Sequence, residues 1–517
     1  MAVAPPRARP MEDLPYSAAG DRSPWLIAVI VSIATFMEVL DSTIANVALR
    51  HIAGSLAVSQ DESTYIVTSY LVSNAIVIPI SGWLANVFGR KRFYMICVAL
   101  FTVSSLLCAT ASSLGEIILY RVLQGVGGGG LAPVEQSIFA DTFPLRLRSA
   151  SFALYGLTVV LAPAIGPIVG GWLTDAYSWH WVFLINLPFG CLSLVLTGLF
   201  VVDSPALQAK RRKLLADGLR IDYVGFALVV LGFGTLQVVL DRFEREGGWG
   251  SPFVNTYGTL CVTALVALVF WEWNHQQPVM NIRLMQKRSF AFSNILMFCV
   301  GFVLISTIQL LPQMAQEIIN YNARTAGLTL GVAGIVTIVL MPAAGILTGR
   351  YVQPKYLLCL AFAGTAFSMW FATGLDQYAG FWDLSTVRAL QAMWLPFLFI
   401  PINTIALTGV PPDRNNEASA LINLMRNLGG SVGISYTTTL LAYREQIHHA
   451  RLAEHITPYN GFGANFDLHG ISARITEQAT TLSYLDLFWA LALVSVAAIP
   501  FAMFLPLLPK GAQTGGH

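Results

Sequence analysis

Fourteen apolar runs of near-membrane length constrain this chain more than any other feature. A spanning α-helix needs about 20 mostly apolar residues, since 1.5 Å of rise per residue must cover roughly 30 Å of hydrocarbon. The runs lie near 25–48, 64–86, 93–113, 117–140, 150–173, 181–202, 223–240, 254–273, 290–312, 325–348, 356–374, 386–408, 418–442 and 482–506. No water reaches a free N–H or C=O inside a bilayer, so runs of this kind span as helices. Composition bears on the point once: 11% of residues are charged, against roughly 25% in a soluble domain. A surface this poor in charge is covered by lipid. The expected fold class is an all-α polytopic membrane protein with 14 transmembrane helices.

Orientation follows from the basic residues between the runs. With a cytoplasmic N-terminus, twenty of the thirty lysines and arginines fall on the cytoplasmic side and seven on the far side. Arg121, Arg388 and Arg426 lie inside runs. Both termini are therefore expected in the cytoplasm. Arg7 and Arg9 precede a polar, proline-containing stretch rather than a secretory signal. The net charge of +2 gives no footing for a nucleic-acid partner.

Two short matches suggest a duplicated unit. Arg121-x-x-Gln124 recurs as Arg388-x-x-Gln391, and Gly89-Arg90 recurs as Gly349-Arg350, at offsets of 267 and 260. Repeated halves mark many transporters. The expected organisation is a cytoplasmic tail (1–24), a six-helix bundle (25–202), a basic cytoplasmic linker (203–222), two inserted helices (223–273), a second six-helix bundle (290–506) and a cytoplasmic tail (507–517). A long polar far-side loop, 443–481, interrupts the second bundle and carries His448, His449, Arg451 and His455. It is either a plain solvated loop or a docking surface for an external partner.

Ionisable residues inside spanning helices are costly and mark function. Glu38 and Asp41 lie three apart, on one face of the first helix, where they can take up and release protons. Arg121, at a similar depth in the fourth run, needs acceptors, and Asp41 or a backbone carbonyl can supply them. Glu135, further along that run, is a third buried acid for a proton or a cationic substrate. Gly125 and the four glycines 127–130 allow close helix approach; no Lys-Ser/Thr follows them, so they form no phosphate cradle. Pro163, Gly166, Pro167, Gly170 and Gly171 combine lost backbone donors with tight packing, which suits a seam between two moving halves. Gly82, Asn86, Gly89 and Arg90 lie at a tight, basic loop between the second and third runs. The six cysteines all fall in apolar runs without ligand spacing, and no metal or other cofactor is expected. A receptor or membrane enzyme would need a soluble domain or a catalytic set, and neither is visible.

These motifs together resemble the major facilitator superfamily, and within it the fourteen-helix drug:proton antiporters of the EmrB/QacA type. Gly82 to Arg92 resembles the loop motif G-x-L-a-D-r-x-G-r-k. Arg121, Gln124 and Gly125 match R-x-x-Q-G, which the family links to proton coupling. Gly166, Pro167, Gly170 and Gly171 match the antiporter motif associated with exporters. Residues 40–49, 179–188 and 418–433 also resemble that group. Two positions depart: Asn86 stands for the usual Asp, weakening an expected charge network, and Arg50 stands for the usual Pro. The resemblance implies two six-helix bundles plus two inserted helices, and proton-driven efflux of hydrophobic or amphipathic compounds across a bacterial inner membrane. It further implies Asp41, Glu38, Arg121 and Glu135 in proton coupling, the loop and seam residues with Gln124 and Gly125 in gating, and the proton gradient as sole energy source. Partners would be a small substrate, the bilayer and, in Gram-negative hosts, a periplasmic adaptor with an outer-membrane channel. A dedicated exporter of a siderophore, fatty acid or aromatic acid is the alternative.

Overall fold

The computed structural model describes residues 23–203, 205–216, 218, 221–408, 410–455 and 468–507. They contain helices and no strand. Fourteen long helices succeed one another: α1 (Pro24–Ser55), α2 (Tyr65–Phe88), α3 (Arg90–Ala109), α4 (Leu114–Thr142), α5 (Leu145–Ala176), α6 (His180–Phe200), α7 (Tyr223–Arg242), α8 (Pro252–Asn274), α9 (Arg288–Glu317), α10 (Ala323–Ile346), α11 (Pro354–Ala372), α12 (Phe381–Thr408), α13 (Asn415–Glu454) and α14 (Leu468–Met503). Thirteen are long and apolar enough to cross a membrane; α13 is the exception. It carries Glu417, Arg426 and Arg444, yet it packs along α9, α2 and α14 within the array. The chain is thus a multi-pass membrane protein.

Local chemistry sets many helix ends. Ser113, Asp222, Ser251 and Asn322 each accept a hydrogen bond from a first-turn N–H of α4, α7, α8 and α10, satisfying donors that the helix leaves free. α4 breaks at Gly129 and Gly130, then resumes through Pro133. The break turns its second segment toward α13.

The packing is that of a duplicated bundle. In the first half α1 packs on α5 and α6, α2 on α4, and α3 on α4 and α6. The second half repeats every one of these contacts eight helices on: α9 on α13 and α14, α10 on α12, and α11 on α12 and α14. α7 and α8 pack on each other, and α7 leans on α2. The halves meet through α2 and α4 against α13, and through α5 against α10 and α12.

One expectation changes. The segment 443–481, read as a long loop, is largely helix, because α13 continues to Glu454 and α14 begins at Leu468. The two extensions support each other: Thr480 donates to Glu445 at 2.5 Å, and His448 lies 2.8 Å from Asp486. Polar sequence hid this, since helices that pair through polar side chains show no apolar run. Residues 456–467 at its tip, most of the 1–24 tail and nearly all of the 507–517 tail lie outside the described residues. Within the expected linker, residues 205–216 form a short helix.

Candidate functional site

The first buried constellation is centred on Asp41 of α1. Arg121 of α4 donates Nη1–H to its Oδ2 at 2.6 Å, and both side chains are fully buried. Gln124 and Asn186 donate to Oδ1 at 3.0 and 2.5 Å. Gln124 also accepts from Arg121 at 2.8 Å, and Ser105 Oγ accepts from Gln124 and Asn186 at 3.3 and 2.9 Å. Arg121 Nε donates to the Ile66 carbonyl at 3.2 Å. The buried carboxylate and guanidinium are held by this shared set of hydrogen bonds, although Arg121 Nη2 and Asn186 Oδ1 are left without a partner among the described residues. Helices α1, α2, α3, α4 and α6 all feed this one network. Gly125, one turn from Arg121, makes the approach possible: a Cβ there would lie 2.0 Å from Ser73 Oγ and 2.5 Å from the Tyr70 carbonyl.

Glu38 does not share a partner with Asp41, although one face of α1 carries both. Tyr70 donates to Glu38 Oε1 at 2.8 Å, and Asn74 does so at 3.3 Å. Tyr70 is also the bridge between the two acids, because its ring stands 4.5 Å from the Arg121 guanidinium carbon. Rearrangement of the Asp41–Arg121 pair therefore acts directly on the ring whose hydroxyl holds Glu38. Glu135 is separate again. It is fully buried, accepts from Ser32 at 2.6 Å, and its Oε2 has no hydrogen-bond partner.

Across the interface between halves, Arg426 of α13 donates to Tyr155 of α5. Tyr155 donates to Asn423 at 2.8 Å, and Asn423 donates to Gln136 at 2.8 Å. This chain of polar contacts ties α13 to α5 and α4 in the middle of the molecule.

A clasp closes one end of the interface, where α2 turns into α3. Asn416 donates to Asn86 Oδ1 at 2.7 Å, and Asn86 donates to Glu417 Oε1 at 3.2 Å. Arg90 donates to Asn416 at 2.5 Å and forms an ion pair with Asp141, to which Asn415 donates at 2.7 Å. Asn281 donates to the other oxygen of Glu417 at 2.7 Å. Gly82 lets the backbones touch, since a Cβ would meet the Asn416 carbonyl at 2.9 Å. Gly89 turns the chain with φ +86, and Lys91 N–H then reaches Asp203 at 3.0 Å. The departure at Asn86 now has a reason. Its amide gives to one neighbour and takes from the other, whereas an aspartate would face Glu417 with like charge. The network here is built of amide contacts at Asn86, with the Arg90 charge paired to Asp141 instead.

The α5 motif is only partly a seam. Gly166 and Gly170 pack against Thr43 and Ile44 of α1, inside the same bundle. Pro167 reaches the other half, against Gly327 of α10. Gly171 faces open space within 4 Å, and Pro163 interrupts the hydrogen-bond ladder inside α5. The sequence reading passed over Tyr70, Asn74, Ser105, Tyr155, Asn186 and Asn423. Their signal was present as lone polar residues within apolar runs, which a scan for charges alone does not collect.

Two six-helix bundles, a buried ion pair within one of them and a clasp between them define a polytopic transporter. The Major Facilitator Superfamily pattern matches residues 31–434, and the chain belongs to that family, among relatives of the EmrB type. The multidrug export protein EmrB of Haemophilus influenzae is 36% identical over 478 residues, covering 90% of this chain and 92% of that protein. The fatty acid resistance protein FarB of Neisseria gonorrhoeae is 32% identical over 507 residues, covering 95% and 97%. Among solved structures, the proton:xylose symporter XylE shares the fold with a TM-score of 0.61 at 15% identity, covering 95% of this chain and 97% of that one.

Proposed function

We propose that this protein exports hydrophobic and amphipathic compounds across the bacterial cytoplasmic membrane, driven by proton entry, through alternating access of its two bundles. The observation that carries the reading is the Asp41–Arg121 pair, sealed inside the first bundle and joined through Tyr70 to Glu38. A proton on Asp41 cancels the charge that holds Arg121. The guanidinium then needs other acceptors, and α1, α2, α4 and α6 repack around it. That is a two-state element biased by one proton, as a coupled transporter needs. Glu38 and Glu135 are the further proton sites on this reading, and the proton gradient is the only energy source.

The clasp lies on the cytoplasmic face, as the basic loops require, and both termini are cytoplasmic. It holds the inner end shut while Asn46 of α1 is exposed toward the outer end, with Ser42 and Thr43 half-buried. Opening it demands that Asn86 and Arg90 release Asn416 and Glu417. The helical hairpin of α13 and α14 then stands on the periplasmic side, where it offers an adaptor leading to an outer-membrane channel a rigid surface. The EmrB relatives, named for multidrug export, support a broad substrate range. FarB, named for fatty acid resistance, supports the narrower reading of one dedicated metabolite class.

The test is efflux of unrelated dyes and acids into inverted vesicles, with and without an uncoupler. Uncoupler-sensitive transport of several unrelated compounds is expected. Transport of one class alone favours the dedicated exporter. Transport indifferent to the uncoupler, or unchanged in both Asp41→Asn and Arg121→Ala, removes proton coupling.

A further inference from the structure

The second bundle contains the geometry of the Asp41 site without the acid. Arg388 of α12 is 1% exposed and donates Nη1–H to Gln391, as Arg121 does to Gln124. Gln391 Nε2 then donates to Thr307 Oγ1 of α9 at 3.0 Å, where Gln124 Nε2 donates to Asp41 at 3.0 Å. Thr307 thus stands in the place of the aspartate. Among the described residues no carboxylate lies within ion-pair distance of Arg388, and its Nε has no hydrogen-bond partner. The asymmetry extends across the bundle. The first half buries Asp41 and Glu135; among the described residues of 290–506 no aspartate or glutamate is buried.

A guanidinium stays charged at any accessible pH and has no acceptor capacity. In hydrocarbon surroundings it needs an anion. The first bundle shows what this arginine–glutamine pair accommodates, which is a carboxylate. Resting on the export reading above, we propose that Arg388, with Gln391 and Thr307, recognises the carboxylate of a transported amphipathic acid. The side chains packed around the pair are apolar. Met369 Sδ lies 3.8 Å from Thr307 Oγ1, and Phe302, Val303, Leu310, Leu384 and Val387 belong to the same buried apolar cluster. The proton and the substrate anion then use matched sites in opposite bundles and do not compete for one arginine.

Equilibrium binding to purified protein in nanodiscs tests this without any gradient, so failure of proton-driven export leaves the result interpretable. Dodecanoate is compared with dodecyltrimethylammonium, which has the same tail and the opposite charge. Wild type is expected to favour the carboxylate. Arg388→Gln should weaken dodecanoate at least tenfold and leave the ammonium unchanged, with Arg388→Lys between. Thr307→Asp supplies the missing acid in cis and guards against a folding defect: it should pair Arg388 internally, stay folded and exclude dodecanoate. Equal loss of both ligands in Arg388→Gln, or wild-type dodecanoate binding in Thr307→Asp, overturns the proposal. So does a wild type that binds chloride here but no carboxylate.

Discussion

Asn86→Asp restores the residue usual in the loop motif, and here it should open the clasp. The substituted carboxylate would lie about where Asn86 Nδ2 now donates to Glu417, 3.2 Å away. Two unit charges at that separation repel by about 1.3 kcal/mol in bulk water and about 5 kcal/mol at an effective dielectric near 20. The amide's donated hydrogen bond to a charged acceptor is lost as well, worth roughly 1.5–3 kcal/mol. Arg90 and side-chain relaxation offset part of this, leaving about 2 kcal/mol against the closed clasp, or roughly thirtyfold in its equilibrium. Spin labels on the α2–α3 loop and the start of α13, read by pulsed dipolar spectroscopy in nanodiscs, report the distance directly. The variant should gain a longer-distance population, and adding Glu417→Gln should return it to the wild-type distribution, since the double variant removes the repulsion. A single variant as closed as wild type, or a double variant as open as the single, refutes the reasoning.

Asp41→Asn leaves Arg121 buried without its counter-ion. Breaking such a pair costs roughly 3–5 kcal/mol, so the melting temperature should fall along with uncoupler-sensitive efflux in inverted vesicles. Tyr70→Phe keeps the ring beside Arg121 but removes the donor to Glu38. It should cost about 1 kcal/mol in thermal unfolding and shift the pH profile of efflux while transport persists. Gly166→Ala puts a methyl 2.1 Å from Thr43 Oγ1; overpacking of about 1–3 kcal/mol is expected, relieved by Thr43→Ala. Gly171→Ala, with nothing within 4 Å, should leave stability and efflux unchanged.

The buried ionisable residues were readable one by one, because each breaks an apolar run. Their grouping was not. Glu38 and Asp41 are three apart on α1, yet Tyr70 on α2 takes one acid and Arg121 on α4 the other. Gly166 and Gly170 advertised close packing, but whether the partner was α1 or the opposite half depended on how α5 turns. The extensions of α13 and α14 escaped because they hold each other through polar contacts, which leave no apolar run to read.

By itself the sequence marked out the long apolar segments, thirteen of which form helices long and apolar enough to span, and a repeat of halves, since hydrocarbon admits only helices with internally satisfied backbones. It also carried the family resemblance. Tertiary structure decided which charges are paired. Arg121 and Arg388 share the same Arg-x-x-Gln pattern, but one meets Asp41 and the other Thr307. Pairing depends on which side chain a neighbouring helix presents at the same depth, and residues 80 positions apart acquire that relation only when the bundle is packed.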